Sequence, residues 1–201
     1  MVQLFLDGGG FMIPILLIFI IGLAFVIERL YHLFKGLSSD ESFAEEIANT
    51  VTSSGIDSAK SKCAEAQGPV ANLCLAALDR AHLGPEEAEH ALDYSGSIEM
   101  ASMEKNMTWI SLCIATAPML GFLGTVWGMI QAFNDIKMAN DISPAVVAGG
   151  ISVALLTTAF GLVVAVILQI LQNAVMYIID NQIVVLQKTT TTILNSISKR
   201  R

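Results

Sequence analysis

Hydroxyl side chains stand out in the most apolar parts of the chain. Thr157 and Thr158 are neighbours in "VALLTTAFGLVVA", inside a segment without a charged residue from Ile142 to Ile179. Thr125 lies in "APMLGFLGTVWGM", a second uncharged segment. A hydroxyl can contact a cation or a carboxyl group through one donor and two lone pairs, and it binds weakly enough to release what it contacts. The alternative is a local role, because a threonine in an apolar helix often only bonds the carbonyl one turn back.

Other groupings of reactive side chains offer little chemistry. His82, Glu86 and His90 have the i, i+4, i+8 spacing of a metal site on a helix. Gly84 and Pro85 break that helix between the first two, so we interpret the three as solvated surface. No Ser-His-Asp or Cys-His grouping shares a predicted surface, and no phosphate-loop motif is present in the sequence. The sequence therefore predicts neither an enzyme, nor a metal site, nor a cofactor.

Three apolar segments must position the threonines. The chain of 201 residues is 54% hydrophobic and only 14% charged, against roughly 25% charged in a soluble domain. The segments are residues 8–27, residues 106–134 and the stretch between Asp141 and Asp180. Each has at least the ~20 residues that a helix needs to cross a bilayer core. We therefore predict an all-α membrane protein with three transmembrane helices and long helices that extend into the cytoplasm.

Basic residues set the predicted orientation, because Lys and Arg are retained on the cytoplasmic side. Six of them lie between the first two segments, four follow the third, and only Lys137 lies in the short loop between the second and third. The N-terminus and that loop are therefore predicted outside, and the C-terminus in the cytoplasm. Residues 1–10 lack the positive region of a signal peptide, so the first helix is predicted to stay as an anchor. Glu28 and Arg29, at its inner end, are interpreted as an interface anchor.

This orientation divides the chain into six segments. They are an outward N-terminus with the first transmembrane helix (1–34), a cytoplasmic helical segment (35–105), the second transmembrane helix (106–134), a short outer loop (135–143), the third transmembrane helix (144–179) and a cytoplasmic tail (180–201). Ser143 is the predicted N-cap of the third transmembrane helix, and Pro144 fits its first position.

Helix signals recur within the cytoplasmic segment. A capping-box pattern from Ser38 to Glu41 predicts a short helix that ends at the "TSSG" of residues 52–55. Two more helices are predicted over residues 56–66 and 69–82, with Gly-Pro pairs as punctuation. No proline interrupts the chain from Pro85 to Pro118, so one long helix is predicted to rise into the second transmembrane helix.

The cysteines and the net charge argue against a disulfide-bonded protein and against a nucleic-acid-binding protein. Cys63, Cys74 and Cys113 are odd in number and fall where disulfides are not expected, so we interpret them as small hydrophobic residues. The net charge of −7 leaves no basic face for a nucleic acid.

Small residues recur along one face of the second and third transmembrane helices. Residues of this kind let helix backbones approach closely in lipid, where packing holds helices together. The predicted packing positions are Pro118, Gly121, Gly124, Gly128, Gly150, Ala154, Thr157 and Gly161.

Thr157 and Thr158 project from different sides of their helix, at ~100° per residue. Thr157 shares the small-residue face, whereas Thr158 projects toward a side that continues through Gln169 and Gln172 to the cytoplasm. Counting ~1.5 Å per residue from the outer ends of the helices places Thr125 and Thr158 within about two turns of each other in depth. Two antiparallel helices thus present hydroxyls near mid-membrane.

Three long motifs run through the predicted membrane helices: "GGGFMIPILLIFIIGLAFVIERLYHL" (8–33), "APMLGFLGTVWGMIQAF" (117–133) and "GGISVALLTTAFGLVVAV" (149–166). In order, orientation and loop length they resemble the ExbB/TolQ branch of the MotA/TolQ/ExbB proton-channel family. The resemblance implies a bacterial inner-membrane protein in which five copies surround a pore lined by the second and third helices. Family threonines of the ion pathway fall on Thr125 and Thr158, and no family role falls on Thr157.

The resemblance also implies partner proteins. A dimer of a single-span protein of the ExbD/TolR kind would supply a transmembrane aspartate, and ion flow would drive rotation that does work across the envelope through a TonB/TolA-like protein. The residues alone agree that a group titrating near neutral pH must come from another chain, because the three uncharged cores contain no Asp, Glu, His, Lys or Arg.

One departure from the family leaves the ion open. Many members carry a glutamate in the third helix, and Val153 aligns with it here. Protons and sodium ions therefore both remain candidates, as do an ExbB-type and a TolQ-type system. The alternative function is a membrane scaffold whose small-residue faces only assemble helices.

Overall fold

The computed structural model describes residues 7–36, 41–66, 68–139 and 144–199, and all regular secondary structure in these ranges is α-helical. The helices are α1 Met12–Gly36, α2 Glu41–Ser53, α3 Ile56–Glu65, α4 Pro69–Arg80, α5 Pro85–Glu104, α6 Met107–Ala139 and α7 Pro144–Ser198. Proline opens α4, α5 and α7, where its fixed φ and missing N–H suit the first helical position.

Three stretches of helix are long and apolar enough to cross a membrane, with mean hydropathies of 2.4, 1.7 and 2.6 in chain order. They lie in α1, α6 and α7, since residues 106–134 supply the uncharged part of the second stretch. Helices are the form that a membrane-spanning chain of this kind takes, because all backbone hydrogen bonds are then made within the segment. The prediction of an all-α membrane protein is confirmed.

Residues 7–27, 106–139 and 144–174 form one compact unit. In this first unit α1 packs against α6 and α7. Gly22 allows a close approach, because a Cβ on it would lie 2.7 Å from Cδ1 of Leu168. One buried apolar cluster of the unit contains Ile15, Cys113, Ala117, Val164 and Leu168.

Residues 28–36, 41–66, 68–105 and 175–199 form a second compact unit. Within it, α2 packs on α3 and α4, α3 on α4, and α4 on α5. The ion pair between Lys60 and Asp79, at 2.9 Å, links α3 to α4. The residues of α4 that are fully buried are Val70, Ala71, Leu73, Cys74, Ala77 and Leu78.

The short helices of the second unit agree with those predicted from sequence. The structure has α3 and α4 where helices are predicted over residues 56–66 and 69–82, and α2 ends at Ser53, where "TSSG" begins to break the helix. Ser38 of the predicted capping box lies outside the described residues.

The prediction of one long helix from Pro85 into the second transmembrane helix is wrong. The helix ends at Glu104 and a new one begins at Met107. Lys105 turns to an extended ψ of 138°, and Asn106 adopts a left-handed φ of 66°, which asparagine tolerates better than most residues. The carbonyl of Asn106 then accepts the N–H of Trp109 at 3.1 Å and starts α6.

Two helices run beyond the predicted membrane segments, whose own bounds stay a prediction. Helix α6 continues past residue 134 to Ala139, and α7 continues past residue 179 to Ser198. Neither proline nor glycine occurs after Gly161, so nothing in the sequence stops α7. Helix α7 begins at Pro144 as predicted, while the predicted cap Ser143 lies outside the described residues.

Candidate ion-contact site

Helices α6 and α7 meet along a seam of small residues. A Cβ on Gly161 would lie 2.6 Å from the carbonyl oxygen of Ala117 and 3.2 Å from the Cα of Gly121. A Cβ on Gly121 would lie 2.9 Å from the carbonyl oxygen of Thr157. These distances are shorter than ordinary van der Waals contact, so the two backbones touch along this seam.

The seam continues on both sides of that contact. A Cβ on Gly124 would lie 2.6 Å from Oγ1 of Thr157, and one on Gly128 would lie 3.1 Å from the Cβ of Ala154. Gly150 faces Ala132 in the same way. The structure thus brings the glycines of the predicted packing positions into contact within one chain, and their role in assembly between copies stays a prediction.

Thr125 of α6 and Thr158 of α7 lie at the edge of this seam and form a hydrogen bond through their hydroxyls. The carbonyl oxygen of Gly121 lies 3.2 Å from Oγ1 of Thr125 and 3.1 Å from Oγ1 of Thr158. The carbonyl oxygen of Ala154 lies 3.2 Å from Oγ1 of Thr125. One hydroxyl donates to the other, whose own proton then has a carbonyl acceptor within reach. Two helices therefore gather four oxygen atoms in one place.

Thr157 occupies a different environment from its neighbour. Its side chain is 1% exposed, and its hydroxyl donates to the carbonyl of Ala154 at 2.8 Å, three residues back on its own helix. The carbonyl of Gly121 lies farther away, at 3.4 Å. This hydroxyl is satisfied locally, and its residue is almost fully buried.

The hydroxyl pair of Thr125 and Thr158 keeps some exposure, since both residues are only half-buried. Around it, large apolar side chains such as Phe122, Val126 and Leu162 are exposed. No Asp, Glu, His, Lys or Arg lies in residues 106–134 or 142–179. The pair can therefore donate hydrogen bonds to, and accept them from, a group that approaches it. Neither hydroxyl gains or loses a proton near neutral pH.

Further polar contacts lie along the same two helices. The amide of Gln172 donates to the Ser111 hydroxyl at 2.6 Å, and the amide of Gln169 donates to Oδ1 of Asn173 at 3.1 Å. The sequence singled out the two glutamines but missed Ser111 as a partner from α6. It also missed the carbonyls of Gly121 and Ala154, because backbone acceptors leave no mark in a residue pattern.

Val153, the predicted position of the family glutamate, lines an apolar cavity of about 360 Å³. The cavity is bounded by the glycines at 8–10, by Trp127 and Gln131 of α6, and by Thr157. The ring of Phe11 lies 6.3 Å from that of Trp127 beside it. Thr125 and Thr158 are not among the lining residues of this cavity.

The remaining predicted site residues lie elsewhere. Pro118 is half-buried inside α6 without ending it. Arg29 is buried in the second unit, where it pairs with Glu28 and donates to the Ser102 carbonyl. His82, Glu86 and His90 are all exposed.

The cysteines are unpaired by disulfides and buried. The thiols of Cys63 and Cys74, in the second unit, are hydrogen-bonded to each other. That hydrogen bond, together with burial, raises the pKa of the Cys74 thiol above its ordinary value. A neutral, enclosed thiol of this kind behaves as a small hydrophobic side chain.

The chain is similar to proteins of one family along most of its length. The model of the MotA/TolQ/ExbB proton channel family matches residues 65–188, which include Thr125, Thr158 and the whole seam. A putative biopolymer transport protein, an ExbB homolog from Methanothermobacter thermautotrophicus, is 31% identical over 182 residues, covering 90% of this chain and 64% of that protein.

Two bacterial relatives add to this. The putative biopolymer transport protein ExbB-like 1 from Synechocystis is 30% identical over 165 residues, covering 81% of this chain and 65% of that protein. The biopolymer transport protein ExbB of Xanthomonas campestris is 38% identical over 81 residues, 40% of this chain and 32% of that protein. The chain thus spans just under two thirds of the length of the first two relatives. Its motifs, its helices and these similarities show that the chain belongs to the ExbB branch of the MotA/TolQ/ExbB proton channel family.

Proposed function

We propose that this chain is the ion-conducting motor subunit of an envelope complex. With a single-span partner of the ExbD/TolR kind, it couples a proton or sodium motive force to work across the cell envelope, such as outer-membrane transport. The observation that carries the proposal is the half-exposed hydroxyl pair of Thr125 and Thr158 on two membrane helices.

The chemistry of that pair suits a passing carboxyl group or its ion. The Thr125 hydroxyl lies within hydrogen-bond distance of the Thr158 hydroxyl and of the Gly121 and Ala154 carbonyls, and the Thr158 hydroxyl lies within reach of the Gly121 carbonyl. Neutral oxygens attract a cation or a carboxylic acid without the strong hold that a fixed carboxylate would have. The partner's aspartate would carry the proton, because this chain has no Asp, Glu, His, Lys or Arg in its membrane cores.

The exposed side chains of α6 and α7 support assembly into a ring. Large apolar residues on these helices remain exposed in a single copy, among them Met119, Phe133, Leu155 and Ile170. In the proposed complex they face neighbouring copies, the partner helix or lipid. By resemblance to the family the ring holds five copies, in the bacterial inner membrane, with the N-terminus outside and a TonB/TolA-like protein receiving the work.

Reconstitution of the complex tests this function. The chain and its single-span partner are placed in liposomes, and ion flux is measured in proton-only and in sodium-containing media. The double variant Thr125→Val/Thr158→Val is expected to assemble with the partner and to lose most of the flux. Equal flux through the variant and the unchanged complex would remove the hydroxyl pair from the pathway. Assembly without partner-dependent flux in either medium would favour the scaffold instead.

A further inference from the structure

Arg29 is the largest fully buried side chain among the described residues, with 1% of its surface exposed. Its Nε donates to Oε2 of Glu28 at 2.8 Å, which places both charges of the pair side by side. Its Nη1 donates to the carbonyl oxygen of Ser102 at 3.1 Å, on a different helix and 73 residues away. The Glu28 carboxylate neutralises the buried charge, so the contact with Ser102 is the one that ties Arg29 to another helix.

Ser102 lies in the last turn of α5, two residues before that helix ends at Glu104. In an unbroken α-helix its carbonyl would accept the N–H of the residue four positions ahead, Asn106. The extended ψ of Lys105 turns the following peptide away from helical geometry. The guanidinium of Arg29 therefore donates to a carbonyl at the point where the helix stops, and a cation at a helix C-terminus is also favourable by charge.

The local sequence does not by itself explain this break. Neither glycine nor proline occurs between Gly96 and Pro118, so the propensities favour one continuous helix. The break also places Asn106 at a left-handed φ of 66°, which glycine adopts without strain and asparagine adopts less readily than glycine. The hydrogen bond from Arg29 to the Ser102 carbonyl offsets part of the loss of helical hydrogen bonds.

We propose that Arg29 is a positioning residue that holds the α5–α6 junction broken, and that the junction is a two-state element. With the guanidinium on the Ser102 carbonyl, α5 and α6 stay separate. Without it, residues 85–139 join into one helix. This inference concerns the junction alone and holds whether or not the chain conducts ions.

Hydrogen exchange at the junction reads out the two states. The first N–H groups of a helix have no partner within it, so Met107 and Thr108 gain intrahelical hydrogen bonds only if α5 and α6 join. Deuterium uptake is measured by mass spectrometry on the full chain in detergent, in peptides that cover residues 103–110. Arg29→Met is expected to slow uptake there by about tenfold or more relative to the unchanged chain. Arg80→Met is the matched control, because Arg80 is exposed on α4 and should leave the junction unchanged.

A second substitution that restores fast deuterium uptake tests whether Arg29 acts through the conformation of residue 106. Glycine adopts the left-handed conformation of residue 106 without strain. Arg29→Met/Asn106→Gly is therefore expected to restore the fast uptake that Arg29→Met slows. Unchanged or faster uptake at residues 103–110 in a folded Arg29→Met chain would overturn the proposal, as would a double variant that stays slow.

A second pair of variants covers the case in which Arg29→Met does not fold. Arg29→Lys keeps the charge but has a shorter reach and a single donor group. Combined with Asn106→Ala, which disfavours the left-handed conformation, it is expected to slow uptake at residues 103–110. Asn106→Ala alone is expected to leave uptake fast, because Arg29 still holds the carbonyl. Equal uptake in these two chains would show that Arg29 does not hold the break.

Discussion

The hydroxyls of Thr125 and Thr158, 33 residues apart in sequence, are hydrogen-bonded to each other between α6 and α7. The hydroxyl of Thr157, the residue just before Thr158, instead bonds Ala154 of its own helix, and Thr157 is buried. Adjacent threonines with the same side chain thus differ in partner and in exposure. The difference makes them separable by the same substitution.

Replacing each threonine by valine keeps the shape of the side chain and removes the hydroxyl. Thr125→Val and Thr158→Val should assemble normally yet lower partner-dependent ion flux by about tenfold, the equivalent of one hydrogen bond of ~1.4 kcal/mol. Thr157→Val should keep most of the flux, because the Thr157 hydroxyl donates to the Ala154 carbonyl within its own helix. Flux through reconstituted complexes is the measurement. An inactive Thr157→Val beside an active Thr158→Val would show that the wrong hydroxyl was assigned to the pathway.

The seam should not tolerate larger side chains. Gly161→Leu and Gly124→Leu place atoms where a Cβ alone would lie 2.6 Å from its neighbour, so the helices must separate at a cost of about 1–3 kcal/mol or more. Both variants should fail to form the complex in size-exclusion chromatography. Gly149→Leu is the control, because a Cβ there meets nothing within 4 Å. Intact complexes from both seam variants would contradict the importance of these contacts.

The chain without its partner should not conduct protons. None of its side chains in the uncharged cores can bind and release a proton near physiological pH. Liposomes that contain only this chain should show the proton flux of protein-free liposomes, as followed with an interior pH dye. Flux above that baseline would mean that the chain carries protons by a route other than a partner carboxyl.

The isolated chain should form a closed ring, five-fold by resemblance to the family. Many large apolar side chains on α6 and α7 stay exposed in a single copy of the chain. A ring would cover them with the same surface of neighbouring copies. Native mass spectrometry in detergent should report one discrete oligomer. A spectrum of monomers alone would count against the ring.

The sequence pattern predicted the fold class and the small-residue seam. It did not predict the hydrogen-bond partners of the threonine hydroxyls. Runs of uncharged residues predicted three membrane helices, and the spacing of glycines predicted a packing face. The directions of Thr157 and Thr158 followed from helical geometry alone. The carbonyls of Gly121 and Ala154 as partners of the hydroxyls did not, because a backbone acceptor is present at every residue and only the approach of a second helix selects one.

The α5–α6 junction separates what local sequence determines from what a tertiary contact determines. Composition and periodicity determined that these residues are helical and uncharged through the membrane, since each follows from neighbours within a few turns. The break at Lys105 and Asn106 was decided by tertiary structure, where an arginine from 73 residues away donates to Ser102 in the last turn of α5. Local propensity differs by less than about 1 kcal/mol per residue, whereas a charged hydrogen bond from a distant helix contributes about 1.5–3 kcal/mol, so a tertiary contact outweighs the preference of a single residue.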